Sequence, residues 1–248
     1  MRSEKQWSMH KSAYLITNYS RNMEGDICHH VRKLRPIPTS TPDVQSLWQW
    51  GSQLKGQWRR TFKRKYSNLL SLVSVGVQSI ALSVLTQCYD LLLRCFTLRD
   101  FLLVSMLEEY ERLLGMPFEK SPPYLFQGHY SSWASMAKLL KERLRQLQGE
   151  GDWLTFTNVY RLLVYGIVLF PHIEDYVDLA AIDAFLGKRD QGESPVIVVL
   201  ANTYYTLNYC YKKNGRGLRC CTSLFYLWMT AHLFHSKGRM ACSIKDHN

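Results

Sequence analysis

Apolar residues recur every three or four positions along most of this chain, a spacing that places them on one face of an α-helix. The longest stripe follows the N-cap residue Asp152, ends at Pro171 and consists of Trp153, Phe156, Tyr160, Leu163, Ile167 and Phe170. A second is formed by Val77, Ile80, Ala81, Val84, Leu85 and Cys88, and a third by Leu47, Trp50, Leu54 and Trp58. The third predicts one helix in which Thr41 is the N-cap and Pro42 occupies the first helical position.

Capping and stop signals place the remaining elements. Ser105 and Glu108 have the spacing of a capping box, and the helix that they begin ends at Gly115. Further helices are predicted over about 131–148, 176–186, 195–211 and 218–234, and a short strand over 94–98. The pattern predicts a mainly α fold: a single helical domain of about seven helices over residues 41–240, with at most one or two short strands. Residues 1–40 are expected to form a flexible, poorly ordered basic arm and linker, and 241–248 a disordered tail.

One uncharged stretch is long enough to be considered as a membrane-spanning helix. Residues 66–89 are 24 positions without a charge, long enough to span a bilayer. The stretch nevertheless carries nine Ser, Thr, Asn and Gln side chains, which favours a buried core helix and no membrane contact. The amino terminus lacks the apolar run of a secretion signal, so we expect an intracellular protein whose seven cysteines are reduced, buried thiols.

The positive charge is concentrated at one end of the chain. Of the net +11, residues 1–65 carry thirteen Lys and Arg against four Asp and Glu. The densest run interleaves cations with aromatic rings over residues 58–66, and a loop near residue 215 adds a second basic patch. Cations beside rings are typical of surfaces that contact phosphates and stack on bases. The predicted nucleic-acid-binding residues are Trp58, Arg59, Arg60, Phe62, Lys63, Arg64, Lys65, Lys212, Lys213 and Arg216. A nuclear address, a solvated surface and protein contacts remain alternatives.

Other chemistry has weaker signals. Cys28, His29 and His30 are adjacent and have no second ligand pair at zinc-motif spacing, while His232 and His235 suit a helix carboxyl end. Glu174, Asp175, Asp178 and Asp183 form an acidic set with the composition of a divalent-metal site. No nucleophile elbow or phosphate-binding glycine loop is present. We therefore predict no catalytic residue, no metal site and no cofactor. The alternative hypothesis is a metal-dependent nuclease that uses the acidic set.

Three runs carry a family resemblance: residues 107–117 (LEEYERLLGMP), 160–170 (YRLLVYGIVLF) and 200–205 (LANTYY). They resemble helical elements of the plant mobile domain, an aminotransferase-like, transposon-associated family, and uncharacterised legume proteins found beside retroelement remnants. The resemblance spans about residues 40–240. It implies a helical fold, a nuclear location, a link to transposable elements and no catalytic residues. The expected function is that of a non-enzymatic nuclear protein of transposon-related origin that binds nucleic acid or nuclear proteins. The alternatives are a nuclease or transposase remnant and a degenerate copy without function; the oligomeric state stays open.

Overall fold

The structure, a computed structural model, describes residues 37, 39, 44–98, 101–117, 122–124, 133–134, 137–171, 177–213 and 217–234. It confirms the predicted mainly α fold. The described residues form the helices α1 (Gln45–Gln53), α2 (Gly56–Tyr66), α3 (Leu69–Val73), α4 (Ser79–Leu85), α5 (Leu107–Leu114), α6 (Ala137–Glu150), α7 (Trp153–Val164), α8 (Leu179–Leu186), α9 (Val196–Lys212) and α10 (Thr222–Phe234). A 3₁₀ turn (Thr86–Cys88) continues α4, and π-helical turns extend α7 (Tyr165–Leu169) and α8 (Gly187–Gln191).

The strands are short and antiparallel. One sheet has the order β1 (Tyr89–Asp90), β2 (Cys95–Leu98) and β3 (Phe101–Leu103), and β4 (Trp133–Ala134) pairs with β5 (Val177–Asp178). Only β2 matches the predicted strand at 94–98. The other strands are two or three residues long, too short for an alternating pattern to reveal them. The predicted helices over 131–148 and 176–186 accordingly begin later, at Ala137 and Leu179.

The longest predicted stripe is confirmed. Asp152 caps α7 by accepting a hydrogen bond from the Thr155 N–H at 3.1 Å. Phe156, Tyr160 and Leu163 are fully buried on its inner side. This helix runs through the centre of the domain, where α1, α2, α6 and α8 contact it.

The uncharged stretch at 66–89 does not form the single buried helix that its length suggested. It divides into α3, an irregular segment around Gly76, α4 and the 3₁₀ turn. The predicted apolar face of α4 was wrong, because Leu82 is buried whereas Ile80 and Val84 are 83% and 53% exposed. Apolar residues occupy nearly every position of this short helix, so their spacing does not specify which side faces the core. Within the described residues, no helix is both long and apolar enough to cross a membrane.

The packed domain begins before residue 41. Ile37 is buried, and its carbonyl oxygen accepts a hydrogen bond from the Ser83 hydroxyl on α4 at 2.7 Å. The other residues of the predicted arm, apart from Thr39, lie outside the described residues, as does the predicted tail at 241–248.

The prediction of one continuous helix through Leu47 and Trp58 was wrong. Leu47, Trp50 and Leu54 are buried as expected, but the backbone becomes extended at Leu54, where ψ is 104°. The chain then restarts as α2 at Gly56, whose φ of +54° is a conformation that glycine adopts at little cost. The break gives the basic segment a helix axis of its own.

The end of α2 is attached to the end of α5. Asn68 donates hydrogen bonds from its backbone N–H to the Leu114 carbonyl at 3.1 Å and from its side-chain amide to the Leu113 carbonyl at 2.9 Å. These bonds satisfy two carbonyl groups that a helix end leaves without partners. Gly115 ends α5 as the sequence predicts, in the left-handed conformation with φ +68°.

Replacing Gly115 with alanine should destabilise the protein. The left-handed backbone disfavours a Cβ, and a Cβ at this site would also lie 3.0 Å from that of Ser67. We expect Gly115→Ala to lower the free energy of unfolding by about 2 kcal/mol in urea denaturation. Gly76→Ala is the control, because a Cβ there meets no atom within 4 Å and should change stability by less than about 0.5 kcal/mol. Equal effects of the two substitutions would refute this account.

Glu109 joins α5 to α10. Its carboxylate accepts hydrogen bonds from the Trp228 indole at 2.7 Å and the Met106 backbone N–H at 3.1 Å, and it pairs with His232 Nε2 at 2.9 Å. The capping interaction therefore lies one residue later than predicted, because the Ser105 hydroxyl instead bonds that of Tyr204 at 3.0 Å. Burial raises the pKa of Glu109, but these hydrogen bonds and the charge of His232 outweigh burial and lower it below the ordinary value.

Stability should therefore depend on the ionisation of Glu109. A carboxyl whose pKa is lowered by folding stabilises the protein above its unfolded-state pKa, and that contribution is lost as the pH falls through the folded-state pKa. We expect Glu109→Gln to cost about 1–3 kcal/mol at pH 7 and the difference from the wild type to shrink between pH 5 and pH 3. The exposed neighbour Glu108 is the control, since Glu108→Gln should cost less than about 1 kcal/mol. A Glu109→Gln penalty that does not change with pH would contradict the assignment.

Candidate nucleic-acid interface

The aromatic residues of the basic segment line the inner side of α2. Trp58, Phe62 and Tyr66 are four positions apart, so they share one face, and the exposed fractions of Phe62 and Tyr66 are 0% and 1%. The ring of Phe62 lies 5.7 Å from that of Tyr160 on α7, and Trp58 is half-buried against the core. The prediction that Phe62 contacts bases was therefore wrong. Phe62 lies four positions from both Trp58 and Tyr66, and this spacing places it on the buried side of α2.

The cations of the segment occupy the outer side of α2. Arg59, Arg60, Lys63, Arg64 and Lys65 are all exposed. Within the described residues, no carboxylate lies within ion-pair distance of the first four. The cations of α6 differ, since Arg143 pairs with Glu150 at 3.2 Å and Arg145 pairs with Glu142 at 2.5 Å. The outer side of α2, which we call the basic face, is thus a helical surface of positive charge, and four of its five cations have no carboxylate partner among the described residues.

Lys65 connects the basic face to the turn after α8. Its ammonium donates a hydrogen bond to the Arg189 carbonyl at 3.3 Å. Burial and the charges of Arg161 and Arg189 lower the pKa of Lys65, while Asp190 raises it. Lys188 lies in the same turn and is only 8% exposed; its ammonium donates a hydrogen bond to the Gly192 carbonyl at 3.2 Å.

Arg161 lies beneath these side chains. It is 3% exposed, and its guanidinium carbon stands 3.8 Å from the Tyr66 ring centre and 5.4 Å from that of Phe185. One of its nitrogens donates to the Asn158 amide oxygen, whereas Nε is buried without a hydrogen-bond partner. Burial lowers the pKa of Arg161 to about 10. We call Lys65, Arg161, Lys188 and Arg189 the inner basic cluster.

Sequence reasoning missed three of these four residues. Arg161 directly follows Tyr160, a residue of the predicted apolar stripe. Its charge therefore lies within a helix whose pattern otherwise predicts a buried position. Lys188 and Arg189 follow Gly187, which was predicted to end a helix. A lone arginine at a core-facing helical position was the available signal, because such a residue is rarely buried without a partner.

The second predicted patch lies elsewhere in the chain. Lys212 and Lys213 are exposed at the end of α9, which packs against α5, and Arg216 lies outside the described residues. In the part of the chain that the structure describes, no hydrogen bond, ion pair or electrostatic interaction links Lys212 or Lys213 to α2.

The comparisons with known proteins identify a family. A family model described as a domain of unknown function, DUF7745, matches residues 47–149 and 134–247. The chain belongs to the DUF7745 family. No curated protein and no solved structure matches it. The two matched ranges overlap at 134–149, a stretch that includes Ala134 of β4 and most of α6.

The other candidate chemistry of this DUF7745 chain lies largely outside the described residues. Cys28, His29, His30, Glu174, Asp175 and His235 all lie there. Asp178 is in β5, Asp183 is half-buried on α8, and His232 pairs with Glu109. Within the described ranges, no three His, Cys, Asp or Glu side chains are grouped as metal ligands. The five described cysteines are thiols, and all but Cys88 are buried.

The assignment of Phe62 to the core leads to a stability prediction. Phe62→Ala removes a fully buried ring from the contact between α2 and α7 and should lower the free energy of unfolding by about 3–5 kcal/mol. Thr61→Ala, at an exposed position of the same helix, should change it by less than about 0.5 kcal/mol. Chemical denaturation of both variants measures the difference. If Phe62→Ala left the free energy of unfolding nearly unchanged, the assignment of this ring to the core would be wrong.

Proposed function

We propose that this DUF7745 protein is a non-enzymatic nuclear module that binds nucleic acid through the basic face of α2. The observation that carries the proposal is the uncompensated charge of that face. Arg59, Arg60, Lys63 and Arg64 have no carboxylate partner among the described residues, although other exposed cations of the same domain are paired. Release of counterions from phosphates would supply the binding free energy.

The burial of the aromatic face limits what kind of binding α2 supports. Phe62 and Tyr66 are in the core and Trp58 is half-buried, so stacking on bases contributes little. A surface that contacts phosphates alone positions the nucleic acid but reads no sequence directly. We therefore expect affinity that falls steeply with salt and depends little on base composition.

A transposon-related origin is part of the proposal. The runs that resemble the plant mobile domain lie on α5, on α7 with its π-helical turn, and on α9. Since α5 contacts α9 and α7 contacts α2, these runs belong to the packed scaffold that holds the basic face. The resemblance and the surplus of positive charge both favour a nuclear role beside mobile elements.

The test compares nucleic-acid binding by the full chain and two charge variants. In the first, Arg60, Lys63 and Arg64 are changed to Gln; in the matched control, Arg143 and Arg145 on α6 are changed to Gln. Fluorescence anisotropy with labelled duplex DNA over a salt series gives the affinity and its slope against log salt. We expect the α2 variant to bind at least tenfold more weakly, with a slope reduced by about 2–3, because each phosphate contact contributes about 0.9.

The control variant should keep the wild-type slope, because its cations are paired with carboxylates in the folded protein. The proposal fails if the α2 variant and the control bind alike, or if the wild type does not bind at low salt. Circular dichroism of each variant excludes unfolding as the cause.

A further inference from the structure

Arg161 is a buried cation whose charge has no counterpart in the described structure. Its guanidinium lies between the rings of Tyr66 and Phe185, and no described carboxylate is within ion-pair distance of it. Two rings and the neutral Asn158 amide stabilise the guanidinium only in part. Buried charges in proteins are ordinarily paired, so a buried arginine without a partner among the described residues points to an anion that those residues do not supply.

One nitrogen of the guanidinium and one neighbouring hydroxyl have unused hydrogen-bonding capacity. Arg161 Nε and the Tyr165 hydroxyl are both buried without a hydrogen-bond partner. They are close enough for Tyr165 and Arg161 to influence each other's ionisation, yet they do not bond to each other. Both groups are hydrogen-bond donors, and an oxyanion is the acceptor that would satisfy them.

The neighbouring cations provide further attraction. Lys65 interacts electrostatically with Arg161, Lys188 and Arg189, and the side chains of Lys65 and Arg189 are exposed to solvent. The cluster therefore extends from the surface inward to Arg161. Asp190 pairs with Arg189 at 2.6 Å at the exposed edge of the cluster and also acts on the charge of Lys65.

We propose that the inner basic cluster, with the Tyr165 hydroxyl, is a binding site for a single phosphate group. A phosphate dianion carries two negative charges for a cluster of several cations and has more acceptor oxygens for guanidinium, ammonium and hydroxyl donors than a carboxylate has. The site does not depend on nucleic-acid binding by the basic face. Its ligand is either a terminal phosphate of a nucleic acid or a free phosphate or small phosphorylated molecule.

The first measurement is thermal unfolding of the full chain in sodium phosphate and in sodium chloride of equal ionic strength at pH 7. An anion bound only by the folded state raises the melting temperature with increasing concentration. We expect phosphate to raise it and chloride not to. Equal melting temperatures in the two salts would overturn the proposal.

Exposed residues of the cluster locate the site without disturbing the core. Lys65→Gln should weaken phosphate binding about tenfold, since it removes one charge-assisted hydrogen bond. Asp190→Asn should strengthen binding about threefold, because it removes the competing carboxylate. Arg145→Gln and Glu142→Gln on α6 are matched controls with the same charge changes and no place in the cluster. A phosphate effect that neither Lys65→Gln nor Asp190→Asn alters would place the anion elsewhere and refute the site.

Oligonucleotides with and without a 5′ phosphate distinguish the two sources. Tighter binding of the phosphorylated strand, lost in Lys65→Gln but kept in Arg145→Gln, assigns the site to a nucleic-acid terminus. Equal binding of both strands, together with stabilisation by inorganic phosphate, assigns it to a free or small-molecule phosphate. Failure of the proposed nucleic-acid function alone would leave the stabilisation by phosphate intact, so the two results are separable.

Discussion

The packing of α2 against α7 is the contact on which the position of every basic residue near residue 60 depends. Phe62 and Tyr66 project from one side of α2 onto the Tyr160 side of α7, and the Arg161 guanidinium covers the Tyr66 ring. Since these rings occupy the inner side of a helix with 3.6 residues per turn, the five cations between and beside them can only face outward. Hydrophobic burial thus fixes the orientation of the charge.

The same contact contains an unusual density of polar groups. Among the described residues, no hydrogen-bond partner is found for the buried hydroxyls of Tyr66, Tyr160 and Tyr165 or for Arg161 Nε. Each such group costs about 1–3 kcal/mol relative to solvent. Phenylalanine would fill the same space without that cost, so packing alone does not account for these residues. The hydroxyl groups acquire a role if the region binds a polar ligand, and Tyr165 is the one that interacts electrostatically with Arg161.

Sequence periodicity predicted both the helix and its buried face where a long apolar stripe follows a clear N-cap residue. Asp152 and Phe156 of α7 illustrate this, since the cap, the buried face and the helix all agree with the pattern. Periodicity failed at Leu54, where an extended backbone interrupts a helix without interrupting burial, and at Ile80, where apolar residues on every side of a short helix leave its orientation undetermined. It also could not assign Phe62, because alternation of rings with cations is common both to a binding surface and to an amphipathic helix. Tertiary contacts decided each of these cases.

The burial of Arg161 distinguishes it physically from the basic face. The exposed cations of α2 act through a field that salt screens within about 8–10 Å, so they attract polyanions without selecting among them. Arg161 lies in a region of lower dielectric, where screening is weak and an unmatched charge is costly. In the proposed phosphate site, a buried cation would discriminate by geometry, because only a small anion could reach it and use the Nε that has no partner among the described residues. Attraction at the surface and selection beneath it are thus separate parts of the two proposals, and Lys65 is the residue that belongs to both.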